Sequence, residues 1–104
     1  MPQFDIYRNP NPDTNTLIPY LLDVQADLLD LLTTRVVAPL HTLKSISVPL
    51  RHLNPVLEVN GERLVLSTAE LAAVAKAVLG EPVGNVRSYR DDIIAALDFV
   101  FAGI

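Results

Sequence analysis

Hydrophobic residues recur at helical spacing over the end of the chain, from Ser88 to Ile104. Spacings of four, seven, eight and eleven residues from the first member define one apolar stripe. Its members are Ile93, Ile94, Leu97, Val100, Phe101 and Ile104. Ser88 is a predicted N-cap, and Asp91 three residues later gives a weak capping box. The pattern therefore predicts an amphipathic C-terminal helix.

This predicted helix has a second apolar side. On a helical wheel Phe99 falls away from the main stripe, together with Ala95, Ala96 and Ala102. Asp98 lies near the negative end of the helix dipole, where a cation is favoured. Two interpretations stay open: the helix simply closes one core, or its tip faces a partner.

Alternation of apolar and polar residues predicts strands in the first half of the chain. These strands are Gln3–Tyr7, Leu17–Val24 and Arg35–Leu40. Proline and asparagine residues predict a loop over 9–15, and Pro19 assigns the second strand to an edge or a bulge. Residues 23–32 stay ambiguous between strand and helix. Residues 41–55 are predicted as loop, with a short strand near 45–48 as an option.

The second half opens with a hairpin signal. Asn60-Gly61 separates two alternating runs within Val56–Leu66, which favours a type I′ turn. The next segment, Thr68–Leu79, starts with a capping-box pattern and continues with helical spacing up to Gly80. Local pattern alone therefore predicts a helix there. Residues 81–86 are predicted as turn or loop because of Pro82 and Gly84.

Composition narrows the class of protein. The 104 residues suit one domain, 1–104, and 50% hydrophobic with 19% charged residues argues against disorder. No apolar run approaches the roughly 20 residues of a membrane span. The absence of cysteine suits a cytoplasmic protein. A net charge of −4 with scattered basic residues argues against direct nucleic-acid binding and favours a protein partner.

Candidate chemistry is sparse. His41 and His52 lack cysteine or carboxylate neighbours at ligand spacing, so both are predicted to be solvated loop residues and no metal site is expected. Asp27 and Asp30 fit a solvated face. The sequence shows no nucleophile elbow, phosphate-binding glycine loop or RNA-binding motif. We therefore expect no catalytic residues, no cofactor and no enzyme activity.

Three segments carry a resemblance to a known family. They are Gln3-Phe4-Asp5-Ile6-Tyr7, Asp23-Val24-Gln25-Ala26-Asp27-Leu28-Leu29-Asp30 followed by Arg35–Leu40, and the terminal Gly103-Ile104. In order and spacing the chain resembles the CcdB-type toxins over essentially its whole length, with small length changes in the loops at 9–15 and 41–55. The resemblance implies a homodimer. It also implies a mainly β (α+β) fold, an antiparallel SH3-like barrel shared with the MazF ribonucleases and followed by a C-terminal α-helix.

The resemblance also changes the prediction for Thr68–Leu79. The family has a short helical turn followed by a strand in this segment. Because strand-forming context overrides helix propensities of tenths of a kcal/mol per residue, we predict a turn at Thr68–Leu71 and a strand over Ala73–Leu79.

The resemblance implies a function as well. The chain is expected to be the toxin of a type II toxin–antitoxin system that binds the A subunit of DNA gyrase and traps the cleaved-DNA complex. The antitoxin is expected to be a protein whose disordered C-terminal segment wraps the toxin. The gyrase-binding residues carried over from the family are Leu28, Leu29, Asp98, Phe101, Ala102, Gly103 and Ile104. We expect the homodimer twofold near Ala95, Phe99 and Ala102.

The chain departs from the family at two of these positions. Ala102 replaces a tryptophan, and Asp98 replaces an asparagine. Two alternatives to gyrase poisoning stay open. One, made plausible by Ala102, is an attenuated homologue that binds antitoxin without poisoning gyrase. The other, suggested by the implied fold relationship alone, is a MazF-like endoribonuclease, for which Arg35 and Thr34 are the candidate residues.

Overall fold

The structure is a computed structural model that describes residues 2–103. A long central strand, β3 (Thr34–Thr42), organises the sheet, because the apolar run from Val36 to Leu40 can be covered on both faces. The other strands are β1 (Asp5–Arg8), β2 (Tyr20–Asp23), β4 (Val56–Val59), β5 (Glu62–Leu66), β6 (Ala72–Ala75) and β7 (Gly84–Asn85). Helix α1 (Arg90–Ala102) follows them. Short 3₁₀ turns cover Asp27–Leu29, Thr68–Glu70, Lys76–Val78 and Arg87–Tyr89.

All strand pairs of the described residues are antiparallel, in the order β4-β5-β3-β2-β1-β7. Strand β6 pairs with the first half of β3 and β5 with its second half. Pro39, which has no N–H to donate, lies between these two pairings. The sheet forms a nearly closed barrel with the C-terminal helix packed against it, as the family resemblance predicts.

The main core lies between the sheet and α1. Its fully buried side chains include Phe4, Ile6, Leu22, Ala38, Leu40, Leu57, Leu64, Leu66 and Ile93. A smaller cluster on the other face of the sheet joins Tyr7, Val37 and Leu79. The 3₁₀ turn at Lys76–Val78 carries the chain to Leu79, which is therefore buried at the edge of this second cluster.

The predicted strands are present with shifted boundaries. Strand β1 begins at Asp5 because Phe4 has a φ of 71°, outside the extended region, while its N–H bonds the carbonyl of Asp23. Strand β2 begins immediately after Pro19, so the prediction of a strand from Leu17 is wrong at that end. Residues 45–48 form turns and bends, and the optional strand there is absent.

The hairpin prediction is confirmed. Strands β4 and β5 pair from Val56↔Val65 to Val59↔Glu62. Asn60 and Gly61 have φ values of 51° and 82°, as a type I′ turn requires.

The segment 68–79 follows the family-based prediction only in part. A 3₁₀ turn covers Thr68–Glu70, and β6 then pairs with β3 from Ala72↔Val37 to Ala75↔Thr34. Ladder hydrogen bonds and the burial of neighbouring residues thus override the local helical spacing. The predicted strand, Ala73–Leu79, is too long, however, because the observed strand β6 ends at Ala75 and another 3₁₀ turn follows.

The C-terminal helix is confirmed, with corrections at its start and on its faces. Ser88 is not the N-cap and Asp91 closes no capping box. The preceding 3₁₀ turn places Tyr89 at the cap, without a side-chain hydrogen bond, and Asn85 Oδ1 accepts the N–H of Arg87 instead. Phe101 is 74% exposed rather than part of the core stripe, whereas Ala96 is buried. Ala96 lies only about 60° from Ile93 around the helix, so it shares the core face.

Candidate functional site

The tip of α1 presents an exposed surface. Asp98, Phe101, Ala102 and Gly103 are all exposed, and Ile104 lies outside the described residues. Gly103 ends the helix in the left-handed conformation (φ 70°), and its N–H donates to the carbonyl of Phe99 at 2.9 Å. The last turn has no basic residue to balance Asp98. Phe101 adds nothing to the core and Asp98 is unfavourable for the helix dipole, so the helix end is not shaped for stability alone.

The other two predicted contact residues lie in the loop between β2 and β3. Leu28 and Leu29 belong to the 3₁₀ turn at Asp27–Leu29 and are 91% and 47% exposed. Leu31 and Leu32 are also exposed, at 98% and 49%. The sequence analysis assigned no role to these last two residues. The signal that could have identified them is the density of leucine in a segment too short to form a helix. We call residues 26–33 the leucine loop.

A buried ion pair supports the leucine loop. The guanidinium of Arg35, fully buried, donates from Nε to Asp23 Oδ2 at 2.8 Å and from Nη2 to Asp23 Oδ1 at 3.0 Å. Arg35 also donates to the carbonyl of Gln25 and to Asp30 Oδ1, each at 3.1 Å. Burial raises the pKa of Asp23, and the hydrogen bonds from Arg35 and from the Gln25 N–H oppose that rise. All these contacts connect the base of the loop to β2 and β3.

This arrangement bears on the ribonuclease alternative. Arg35 was one of its two candidates, but a fully buried side chain engaged by four acceptor atoms cannot reach a phosphate. Thr34 is exposed at the start of β3. Arg35 is therefore removed as a candidate for RNA contact, and the residue has a structural role.

The prediction of two solvated histidines is correct only for His52. His41 lies in β3 and is buried, with Nδ1 2.8 Å from Ser45 Oγ and Nε2 2.9 Å from Glu70 Oε1. The hydrogen bond from Ser67, assisted by His41, lowers the pKa of Glu70. These contacts attach the loop after β3 to the turn at Thr68–Glu70. Within residues 2–103, no group of three or more His, Asp or Glu side chains is arranged to hold a metal ion.

A groove of about 520 Å³ separates α1 from the loop that precedes β4. The loop contributes His52, Asn54 and Pro55, β4 contributes Val56, and the helix contributes Asp92, Ala95, Ala96 and Phe99. The rings of His52 and Phe99 have centroids 6.0 Å apart and are tilted by 34°. Phe99, predicted to lie on the second face of the helix, thus packs partly against its own chain.

The two groups of predicted contact residues lie apart in one chain. Helix α1 packs against the turns at Thr68–Glu70 and Arg87–Tyr89, and makes no extensive contact with the turn at Asp27–Leu29. The helix tip and the leucine loop are therefore separate surfaces of the described chain.

Comparison with known proteins gives the family. Residues 3–103 match the family model described as CcdB protein. The chain belongs to the CcdB family. The resemblance to the CcdB-type toxins that the sequence showed is thereby confirmed as membership of the family.

A solved structure shares the fold. It is an endoribonuclease in complex with its cognate antitoxin from Mycobacterial species. It matches with a TM-score of 0.78 and 13% sequence identity, covering 97% of this chain and 94% of that one. At this identity the likeness establishes the fold alone. No helix within residues 2–103 is long and apolar enough to cross a membrane.

Proposed function

We propose that this CcdB-family chain is the toxin of a toxin–antitoxin pair and acts on the A subunit of DNA gyrase, trapping the cleaved-DNA complex. The single observation that supports the proposal is that the tip of α1 is exposed in a chain that matches the CcdB family over residues 3–103. Phe101 is 74% exposed there and packs into no core. Aromatic residues, including phenylalanine, are enriched in the cores of protein interfaces. The mode of action is binding, with no catalytic residue or cofactor required.

We assign the gyrase contact to the two surfaces described above. The helix tip supplies Asp98, Phe101, Ala102 and Gly103, and Ile104 continues it beyond the described residues. The leucine loop supplies Leu28 and Leu29. Because the two surfaces lie apart in one chain, a single gyrase site can use both only if it spans them or if a second copy supplies one. A homodimer with Ala95, Phe99 and Ala102 near the twofold would be one such arrangement, and light scattering of the purified protein at micromolar concentration tests it.

The test of gyrase poisoning uses purified gyrase and supercoiled DNA. The wild-type chain is expected to inhibit supercoiling and to accumulate cleaved DNA. The Phe101→Ala variant should weaken both effects by at least about tenfold, since truncating an interface aromatic can cost roughly 2 kcal/mol. Val48→Ala is the matched control, because Val48 is 78% exposed in a different loop. Equal potency of Phe101→Ala and the wild type would contradict the assignment.

We infer a protein antitoxin as the physiological partner. The structural neighbour was solved with its cognate antitoxin, and the family is one of toxins. A chain of net charge −4 favours a partner segment rich in basic residues. Co-expression with the protein encoded beside this gene should restore growth if that protein is the antitoxin.

Two alternatives remain as candidate functions. An attenuated homologue would bind the antitoxin and leave gyrase unaffected, and Ala102 in place of the family tryptophan supports it. A ribonuclease is suggested only by the fold shared with the structural neighbour, which is an endoribonuclease. Incubation with single-stranded RNA distinguishes the latter. Cleavage that Thr34→Ala abolishes would establish a nuclease, and we expect none because basic residues are scattered.

A further inference from the structure

Three strands of the described sheet pair on one side only: β4, β6 and β7. The unpaired N–H and C=O groups of such an edge attract other extended chains, so soluble proteins usually block them. The edge of β4 is blocked, because the hydroxyl of Tyr89 accepts the N–H of Glu58 at 3.3 Å and Glu58 adds a charge. Strand β7 has only two residues. Of these three edges, that of β6 (Ala72–Ala75) is the one that remains open.

The side chains of β6 do nothing to protect its edge. The strand contains three alanines and one valine, and its four consecutive pairs with β3 leave no bulge. Three of its four residues are exposed and the other is half-buried. The charged residues that flank the strand, Glu70 and Lys76, are bonded within the chain to His41 and Asp30. An edge without a free charge, a proline or a bulge is accessible to another strand.

The register with β3 shows which backbone groups of β6 point outward. In an antiparallel pair, residues that bond the partner strand alternate with residues that bond in the opposite direction. Val36 bonds on its other side, where its N–H donates to Gln25 Oε1 and its carbonyl accepts the N–H of Val24, each at 3.0 Å. Its partner Ala73 therefore points its own N–H and C=O away from β3, and Ala75 does the same two residues later. The open edge thus presents two donors and two acceptors at the spacing of a β-ladder.

The chemistry of this edge selects its occupant. Two copies of β6 placed edge to edge would meet over four small residues on each side, far below the roughly 800 Å² per partner that a stable interface buries. Nucleic acids and lipids have no peptide groups at this spacing. An extended polypeptide longer than β6 fits, because it pairs with the edge and buries further area beside it. Val78, 53% exposed just beyond the strand, adds to the apolar surface available.

We propose that the open edge of β6 accepts an extended segment of the antitoxin as an added strand, hydrogen-bonded to the N–H and C=O groups of Ala73 and Ala75. The inference rests on the proposed function in taking a protein antitoxin as the source of the segment. It deepens that function by naming the site and the mode of binding. Main-chain hydrogen bonds supply affinity in this mode, and the alternate side chains of the added strand supply specificity.

Amide hydrogen exchange of the wild-type chain, followed by NMR, tests the added strand. The chain is measured alone and in complex with the protein encoded beside its gene. Exchange at Ala73 and Ala75 should be fast in the free chain and at least about tenfold slower in the complex, because both amides gain an acceptor. Val74, which already bonds β3, should be protected in both states. Unchanged exchange at Ala73 and Ala75 overturns the proposal, and protection in the free chain that grows with its concentration identifies a second copy instead.

Ala75→Pro removes one of the outward donors. Ala75 has a φ of −67°, which proline adopts, so the variant should fold and melt within a few degrees of the wild type. Its Kd for the protein encoded beside the gene should rise at least about tenfold, because a hydrogen bond is lost and an acceptor is left unpaired. Ala75→Ser is the matched control, since it keeps the N–H and a small side chain, and should bind like the wild type. Equal Kd values for Ala75→Pro and the wild type overturn the added strand.

Failure of this inference and failure of the proposed function are distinguishable. If the protein encoded beside the gene does not bind the wild-type chain, the proposed antitoxin partnership fails and this inference fails with it. If that protein binds while Ala73 and Ala75 stay unprotected, the partnership stands and the edge of β6 is not the site. Ala75→Pro should inhibit gyrase like the wild type, because β6 is not among the predicted gyrase contacts.

Discussion

Replacement of Arg35 by methionine is expected to destabilise the protein severely. The substitution keeps an unbranched apolar stem of similar reach but removes the guanidinium that donates twice to Asp23 and once each to Gln25 and Asp30. The Asp23 carboxylate, fully buried, would retain only the hydrogen bond from the Gln25 N–H at 3.0 Å. An unpaired buried charge is far more costly than the loss of a surface contact.

The expected magnitude follows from that burial. Removing one partner of a buried pair typically costs about 3–5 kcal/mol. A domain of this size has a total free energy of unfolding of about 5–15 kcal/mol, so the variant would be close to its folding limit. At about 4 °C or more per kcal/mol, the midpoint of thermal unfolding should fall by roughly 12–20 °C or further.

Circular dichroism during heating and during urea titration measures this effect. Arg87→Met is the control, because Arg87 is exposed and should shift the free energy of unfolding by no more than about 0.5 kcal/mol. The double variant Arg35→Met with Asp23→Leu should recover much of the loss, since an apolar pair of similar volume avoids the unpaired charge. A melting midpoint for Arg35→Met within a few degrees of the wild type would refute the reasoning.

Two further predictions concern pH. Burial, reinforced by the charges of Asp5 and Asp23, raises the pKa of Tyr7 from 10.0 to about 12. The stability that neutral Tyr7 contributes below pH 10 should therefore be lost as the pH rises from 10 to 12, a loss of about 3 kcal/mol. Urea titration should show that this loss disappears in Tyr7→Phe. Hydrogen bonds from Ser67 and His41 lower the pKa of Glu70 below its ordinary 4.5, so its stabilising contribution is present above pH 4.5 and lost as pH falls below that value. Glu70→Gln should therefore have a flatter dependence of stability on pH in acid than the wild type, and an identical dependence would contradict the assignment.

Secondary structure was predicted most accurately from the sequence where the local residue pattern and the tertiary fold favour the same element. Asn60-Gly61 required a hairpin whatever surrounded it, because both positions need positive φ. In the segment 68–79 the local pattern favours a helix and the tertiary fold favours a strand, and the pairing of Ala72–Ala75 with β3 overrides the helical spacing. Only the family resemblance predicted that outcome, because the sequence does not show which strand lies nearby.

Buried polar residues were the least predictable. Arg35 was a candidate for RNA contact because arginine is usually exposed, and His41 was predicted to be solvated because no ligand lay near it in sequence. Their burial depends on partners 12 and 29 residues away, Asp23 and Glu70. No local pattern encodes such pairings. Leu31 and Leu32 were missed for the opposite reason, because apolar residues at helical spacing normally predict a buried face.

Restoring an aromatic at the helix tip should strengthen the toxin. Ala102 is exposed in the last turn of α1, so the Ala102→Trp side chain enters open space and should change the free energy of unfolding by no more than about 0.5 kcal/mol. If the tip contacts gyrase, the added indole buries a large apolar area in that interface, and Kd for the A subunit should fall by about tenfold or more. Ala69→Trp, at an exposed alanine in a different turn, controls for non-specific adhesion of tryptophan.

The same variant separates a poison from an attenuated homologue. If the wild-type chain leaves supercoiling intact and Ala102→Trp inhibits it, then Ala102 is the attenuating change and the remaining contact residues are competent. If both inhibit with equal potency, the tip does not use position 102, and the exposed ring of Phe101 carries the aromatic contact instead. Equal gains from Ala102→Trp and Ala69→Trp would refute the assignment of position 102, because a specific interface cannot respond alike to an indole in two different places.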